Sequence, residues 1–515
     1  MRTLLFFLIV TVACQSAPSD FETFLSTQDS STYSLLIRNG TLIDGTGQPG
    51  YRADVLIRAD TIAFVGPVDP SLVEVKRTID AAGKVVTPGF IDMHSHGDPL
   101  TTPGFQNFLA MGVTTIALGK DGSSPAVPDL GTWMQQVADT VPGVNIAMFV
   151  GHGTLRMLSG INYNPRPTEA QLQAMGKLLT DNLDAGCYGM TTGLEYVPGW
   201  YAPDYELEYL ARLVGERQKL ITSHVRNEDD AAVEASLREL LRQGEYCAVH
   251  ASHLKVVYGK GSNRAEEILL LLDSARQRGI AVSADVYPYT ASYTGIGILF
   301  PDWAKPPNDF ARVVASRRDE LATFLRDKVN QRNGPEATLL GTAPYAGKTL
   351  AQLATEQGKP FEDILIDEIK PGGASGAYFV MNDSLQARII VDSTVMICSD
   401  GSPTARHPRG HGTFAKIIET FVGQDSLLSL PEAVRKMSWL PAQTMKIADR
   451  GRIDPGMKAD VLIFDPAQVR ATATYENPLQ LAEGFEFVIV NGQIAKEQEE
   501  FMLERNGRML RAVSR

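Results

Sequence analysis

Thr87-Pro88-Gly89-Phe90-Ile91-Asp92-Met93-His94-Ser95-His96 is the stretch from which the rest of the chain is read. Lys84-Val85-Val86 leads into it as a short β-branched run, and Phe90-Ile91 resumes the apolar pattern after Pro88-Gly89. Successive strand side chains point to opposite faces, so a His-x-His at a strand end aims both imidazoles the same way. Two neutral imidazoles converging on one point suit zinc or a related transition metal. A bare pair of loop histidines would have no further ligands to meet; this pair has them.

C-terminal to that motif, apolar strand-like runs alternate with helical stretches. The runs include 113–118, 144–150, 220–222, 246–249, 280–283 and 395–397, and the helical candidates include 169–185, 204–218, 230–243, 264–278 and 430–437. Strand-then-helix repetition predicts a parallel sheet, and at 515 residues a β/α barrel with an accessory domain is favoured over an open sheet. In such barrels the chemistry lies at the C-terminal ends of the strands. His94, His96, Asp121, His224, His253 and Asp400 all fall just past, or at the end of, such runs. His250 lies three positions before His253, which turns it to the other strand face as a core or supporting residue.

The flanks have a different grammar. Short β runs with turns between them occupy 35–65 and return at 458–464 and 487–492, and Ala-Asp-Val-Leu-Ile occurs in both, at 53–57 and 459–463. Both termini are therefore expected to join one small antiparallel β domain. The expected architecture is α/β: a distorted (β/α)8 TIM-type barrel over 88–444, with a small β-sandwich built from 34–87 and 445–500. Residues near 300–390 fit the alternation poorly and read as an insertion that shapes the pocket.

Residues 1–14 read as a signal segment: Arg2, an apolar run from Leu4 to Ala13, then Cys14. That run is too short for a spanning helix. The pattern resembles a bacterial lipoprotein signal, with Cys14 as the lipidated residue, although Thr11 stands where leucine is commoner. Residues 15–33, polar at first, read as a flexible tether. The expectation is an exported protein, periplasmic or anchored to the membrane through Cys14. Cys187, Cys247 and Cys398 are scattered and imply no disulfide framework. A net charge of −12 with no basic stripe argues against nucleic acid as a partner.

The constellation predicts hydrolysis. A divalent metal brings the pKa of bound water toward neutrality. Asp400, after a buried strand and beside Gly401, is placed to take the proton and deliver it to a leaving nitrogen. Asp121, after Leu118, is placed to anchor one metal or bridge two, although an Asp before Gly is also a common turn former.

These residues, together with Phe149 to Arg156, Gly193 to Tyr196, Ser223 to Glu228, Ser252 to Lys255, Tyr287-Pro288-Tyr289, Ser399-Asp400-Gly401 and His407-Pro408-Arg409, resemble the amidohydrolase superfamily, and within it the D-aminoacylase (N-acyl-D-amino-acid deacylase) family, over nearly the whole mature chain. The resemblance implies zinc, as one or two divalent ions. It implies that His224 and His253 serve one metal position, that His94 and His96 serve a second, often weaker one, and that Asp400 is the acid/base. It implies that Lys255, Tyr287 and Arg409 hold the substrate's carboxylate, and that the substrate is a small N-acyl amino acid or dipeptide. Asp121 stands where many members have a bridging cysteine, and Tyr293 falls near a serine of the family's substrate loop, with Ser292 adjacent. Two other readings remain: a dipeptidase-like or cyclic-amide hydrolase of the hydantoinase or dihydroorotase kind, and a surface binding protein that has lost catalysis. Cyclic-amide relatives use a carboxylated lysine as bridge, and Lys120 is expected to face away if Asp121 faces in. Oligomeric state has no sequence signal.

Overall fold

The computed structural model describes residues 19–28 and 32–513. The signal segment and Cys14 lie outside the described residues. No helix among those described is long and apolar enough to cross a membrane.

Eight parallel strands form the central ring: β1 (Phe90–Asp92), β2 (Val113–Leu118), β3 (Asn145–Met148, continuing as Val150–Gly151), β4 (Gly189–Gly193), β5 (Leu220–His224), β6 (Ala248–Ala251), β7 (Val282–Val286) and β8 (Val395–Ile397). They pair in sequence order. At the seam the Asp400 N–H donates to the His94 carbonyl and the His96 N–H to the Gly401 carbonyl, each at 2.8 Å, which ties β8 back to β1. Asp92 reinforces this seam from below, accepting from the backbone N–H groups of His94 at 3.1 Å and Ser399 at 3.0 Å, and from the Ser399 hydroxyl. The strands are apolar on both faces because helices cover the outside and packed side chains fill the inside, which is why they read as continuous runs. The helices Glu169–Asp184, Asp204–Glu216, Val233–Gln243, Ser262–Gln277 and Leu430–Met437 lie within the predicted stretches or extend them by two residues at most.

The accessory domain is two sheets packed face to face. Thr32–Arg38, Asp54–Arg58, Thr61–Gly66 and Glu74–Asp80 make one; Thr41–Leu42, Tyr51–Arg52, Val85–Pro88 and four C-terminal strands from Val461 to Phe501 make the other. The two Ala-Asp-Val-Leu-Ile segments lie in different sheets, and Val55, Ile57, Val461 and Ile463 meet in the core between them. The expected antiparallel arrangement is corrected in part: Thr32–Arg38 runs parallel to Glu74–Asp80, and Thr41–Leu42 parallel to Val85–Pro88. The tether expected over 15–33 is corrected too, within the described residues 19–28 and 32–33. Asp20–Ser26 is a helix, closed by a Ser19/Glu22 capping box, and buries Phe21 against Tyr33, Leu36 and Leu56.

The expected insertion begins earlier than 300 and has its own architecture. Ala291–Gly295, Thr338–Leu340 and Ser375–Phe379 form a three-stranded antiparallel sheet, backed by a helix over Phe310–Gln331 and a separate apolar core.

Under β8, Lys436 is fully buried and donates to the Asp392 carbonyl. Burial pushes its pKa down from 10.5 to about 7. The unfolded chain therefore binds a proton between these two pH values that the folded chain does not. On this account stability rises as pH increases through that window, by at most about 1.4 kcal/mol per unit. Urea midpoints measured at pH 7 and pH 9.5 are expected to rise less in Lys436→Met than in the parent protein; equal slopes would contradict this account.

Candidate metal centre

The C-terminal rim of the ring gathers the six residues expected to meet a metal. His94 and His96 follow β1, Asp121 follows β2, His224 ends β5, His253 follows β6 and Asp400 follows β8. His94 Nε2 lies 3.2 Å from Asp121 Oδ1 and 3.7 Å from Asp400 Oδ1, while His96 Nε2 lies 3.4 Å from Asp121 Oδ2 and 3.1 Å from Asp400 Oδ1. His253 Nε2 is 3.4 Å from Asp121 Oδ1 and 3.0 Å from His224 Nδ1. Asp121 thus faces both histidine pairs. His94, Asp121, His253 and Asp400 offer ligand atoms that all lie within 4.8 Å of one another, and so do His224, Glu228 and His253.

The donor set fits a divalent ion. It consists of imidazole nitrogens and carboxylate oxygens, the ligands zinc takes alongside thiolate. His94 Nε2 and Asp121 Oδ1 are buried, and neither finds a hydrogen-bond partner of good geometry. Buried polar atoms without partners are costly, and a cation between them removes the cost. Burial opposes charge on every group here. Even so, the neighbouring histidines, and for Asp400 also Arg409, hold Asp121 and Asp400 well below the usual carboxylate range. Burial pushes His94 down to about 4, whereas for His96 the burial penalty is outweighed by Asp121 and Asp400, which raise it to about 9. The two carboxylates draw positive charge into the pocket, as a proton or as a metal.

Asp121, His253 and Asp400 have φ of 53°, 37° and 49°, in the left-handed region that ordinary residues avoid. Each therefore turns its side chain sharply inward at the end of its strand. Gly401 lets the last strand approach the helix that begins at Arg409: a Cβ at this position would lie 2.3 Å from the Gly410 Cα. That approach brings Arg409 Nη1 to 2.7 Å from Asp400 Oδ2, while Nη2 donates to the Tyr293 carbonyl at 3.1 Å.

The three residues expected to hold a carboxylate are neighbours. Lys255 and Arg409 line a cavity of about 560 Å³ that also exposes His96, Asp121, His224 and Asp400. Tyr287 packs behind them, its ring 4.8 Å from the Arg409 guanidinium carbon and 5.8 Å from Lys255 Nζ. Ser292 and Tyr293 both reach the same cavity. Lys120 places its Nζ 3.6 Å from the centre of the Phe149 ring.

Sequence reasoning assigned no role to the acids that orient the histidines. Glu195 is 2.9 Å from His224 Nε2. Glu228 is 3.2 Å from His253 Nδ1 and 3.0 Å from Lys255 Nζ, so it couples the His253 ring to the Lys255 ammonium. Asp285 accepts from the His253 N–H and lies 2.9 Å from His250 Nε2, which gives His250 its supporting position. Acids behind ligand histidines fix tautomer and ring orientation. The only available signal was their occurrence inside the motifs Gly193 to Tyr196 and Ser223 to Glu228, or at the end of a strand.

A parallel eight-stranded ring with imidazoles and carboxylates at its C-terminal rim, joined to a β-sandwich made from both chain ends, defines the amidohydrolase class of fold and site. Residues 360–495 match the Amidohydrolase family. The chain is 34% identical to an N-acyl-D-glutamate deacylase of Alcaligenes xylosoxydans xylosoxydans, over 89% of this chain and 92% of that one. Its fold is similar to that of the N-acyl-D-glutamate deacylase of Bordetella bronchiseptica, solved with zinc and a phosphonate mimic of the tetrahedral intermediate: TM-score 0.82, 32% identity, covering 93% of this chain and 100% of that one. A D-aminoacylase with a binuclear metal centre gives a TM-score of 0.80 at 32% identity, with the same coverage. The chain belongs to the D-aminoacylase family of amidohydrolases.

Proposed function

We propose that this protein is a metal-dependent hydrolase that removes the acyl group from N-acyl-D-amino acids. The observation that carries the reading is Asp400, held with one carboxylate oxygen toward the metal-facing histidines and the other on Arg409. His224 and His253 with Asp121 would hold one ion, and His94 and His96 with Asp121 and Asp400 a second. When bound, such an ion supplies a polarising charge and lowers the pKa of water. Arg409 and Lys255 receive the substrate's carboxylate, and the planar guanidinium suits it as a bidentate partner. Tyr287 keeps both cations in place. Asp400 takes a proton from the attacking water and passes it to the nitrogen as the C–N bond breaks, releasing a carboxylic acid and a free amino acid.

Lys120 lines the same cavity, but its Nζ lies over the Phe149 ring and it is Asp121 that faces both histidine pairs, which favours this reading over a cyclic-amide hydrolase with a carboxylated lysine bridge. The test is a panel of N-acetyl-D- and N-acetyl-L-amino acids, dipeptides and hydantoins, before and after chelation. Turnover of D substrates is expected, lost with chelator and recovered with zinc. Preference for L substrates or hydantoins, or indifference to chelation, would overturn the reading. We further propose export, with Cys14 as a lipid attachment point, supported by the sequence of residues 1–14; the mass of the mature N-terminus is the deciding measurement.

A further inference from the structure

A second cavity, of about 800 Å³, adjoins the one at the metal centre. The two share Glu195, Tyr196, Val197, Asp229, Thr294 and Ile298 as a common wall. Beyond that wall its large apolar side chains are aromatic, Trp200, Phe300, Trp303, Phe310 and Phe324, four of them contributed by the insertion. Its charged groups are already matched: Arg226 with Glu239 at 2.7 Å, Lys305 with Asp302 at 2.9 Å, Lys328 with Asp229 at 3.6 Å, and Glu195 with His224 at 2.9 Å. The chamber offers an apolar surface and no free charge, and so suits an uncharged hydrocarbon group.

Its position says which end of the substrate enters. Lys255 and Arg409, the carboxylate clamp, line the first cavity and not the second. A substrate whose carboxylate rests on that clamp and whose carbonyl meets the histidines has its acyl group on the far side of the scissile bond, toward Glu195 and Tyr196. Tyr196 marks the junction, its hydroxyl 3.5 Å from His224 Nδ1 and accepting from Thr294 at 3.2 Å. An N-acetyl amino acid fills less than the first cavity and leaves the second unused. Resting on the function proposed above, we propose that the second chamber binds the acyl group, and that the preferred substrates carry medium- or long-chain fatty acyl groups rather than acetyl.

The test is a series of N-acetyl, N-butyryl, N-octanoyl and N-dodecanoyl derivatives of one D-amino acid, assayed with the zinc-loaded enzyme. kcat/KM is expected to rise roughly threefold per methylene that enters the chamber, about 10²–10³-fold from acetyl to octanoyl if all six added methylenes are buried. Ile298→Trp, which narrows the junction, is expected to cancel that rise, while Trp303→Ala, which lines only the second chamber, is expected to leave N-acetyl turnover within about threefold of the parent. Trp303→Ala, on the far wall, is expected to reduce the octanoyl advantage even if the first variant fails to fold. Titration calorimetry of decanoate gives a readout independent of catalysis: binding to the parent enzyme, weakened at least about tenfold in either folded variant. A flat chain-length profile alongside good N-acetyl turnover would overturn the chamber's role and leave the function intact. So would a gain that follows the amino-acid side chain instead of the acyl group. Absence of turnover on every N-acyl amino acid would overturn the function, and decanoate binding would then decide the chamber's occupant by itself.

Discussion

Asp400→Asn is expected to lower kcat by about 10²–10⁴, the range that positioned proton transfer contributes, while leaving KM within a few-fold. The substitution keeps the size and one oxygen of the side chain but removes its capacity to take and return a proton. The fall in kcat/KM should match the fall in kcat, because the lost interaction acts on the reacting atoms and not on the carboxylate clamp. Arg409 loses its 2.7 Å ion-pair partner, which leaves the guanidinium freer for substrate and opposes any rise in KM. Steady-state kinetics with metal content measured on the same preparation is the check. Full turnover with metal bound would remove Asp400 from the mechanism.

His253→Ala and His96→Ala should differ sharply. His253 belongs to both groups of converging ligand atoms, is buried, and is braced from behind by Glu228 and Asp285. His96 is about a third exposed; its Nε2 meets the two carboxylates and its ring lies edge-on to His94. Loss of His253 should therefore cost at least one equivalent of bound metal, and activity by more than the 10–100-fold typical of a supporting residue. Loss of His96 should cost about tenfold or less. Metal analysis and activity across a zinc titration distinguish the two. A His96 variant more impaired than the His253 variant would reverse the proposed order of the sites.

Much of this site was legible because barrels place it by a simple rule. Each of His94, His224, His253 and Asp400 could be found from one strand and its end, with no knowledge of its neighbours. Glu195, Glu228 and Asp285 were not legible in that way, because each acts on a ring carried by a different strand. An acid at a strand end looks the same whether it faces a metal, a histidine or water. The two-sheet sandwich was visible in the repeated Ala-Asp-Val-Leu-Ile, but strand direction was not, since alternation of apolar residues is identical in parallel and antiparallel edges. The helix Asp20–Ser26 was hidden by its shortness: seven residues span two turns, too few to show a period, and only Phe21 is fully buried, with Phe24 and Leu25 partly so. The insertion escaped the alternation for a different reason, since its strands pair antiparallel across long gaps and build a core of their own.

The left-handed backbone at Asp121, His253 and Asp400 has a consequence for how such a protein can change over time. A non-glycine residue in that conformation costs roughly a kcal/mol or more, and here the surrounding seams and close glycine contacts impose it three times within one pocket. Glycine would relieve the strain at each position and in the same step remove a side chain to which the proposed function assigns a role. Selection for heat resistance alone would therefore erode this enzyme from its centre outward, and only continued demand for its product keeps the three side chains where they are.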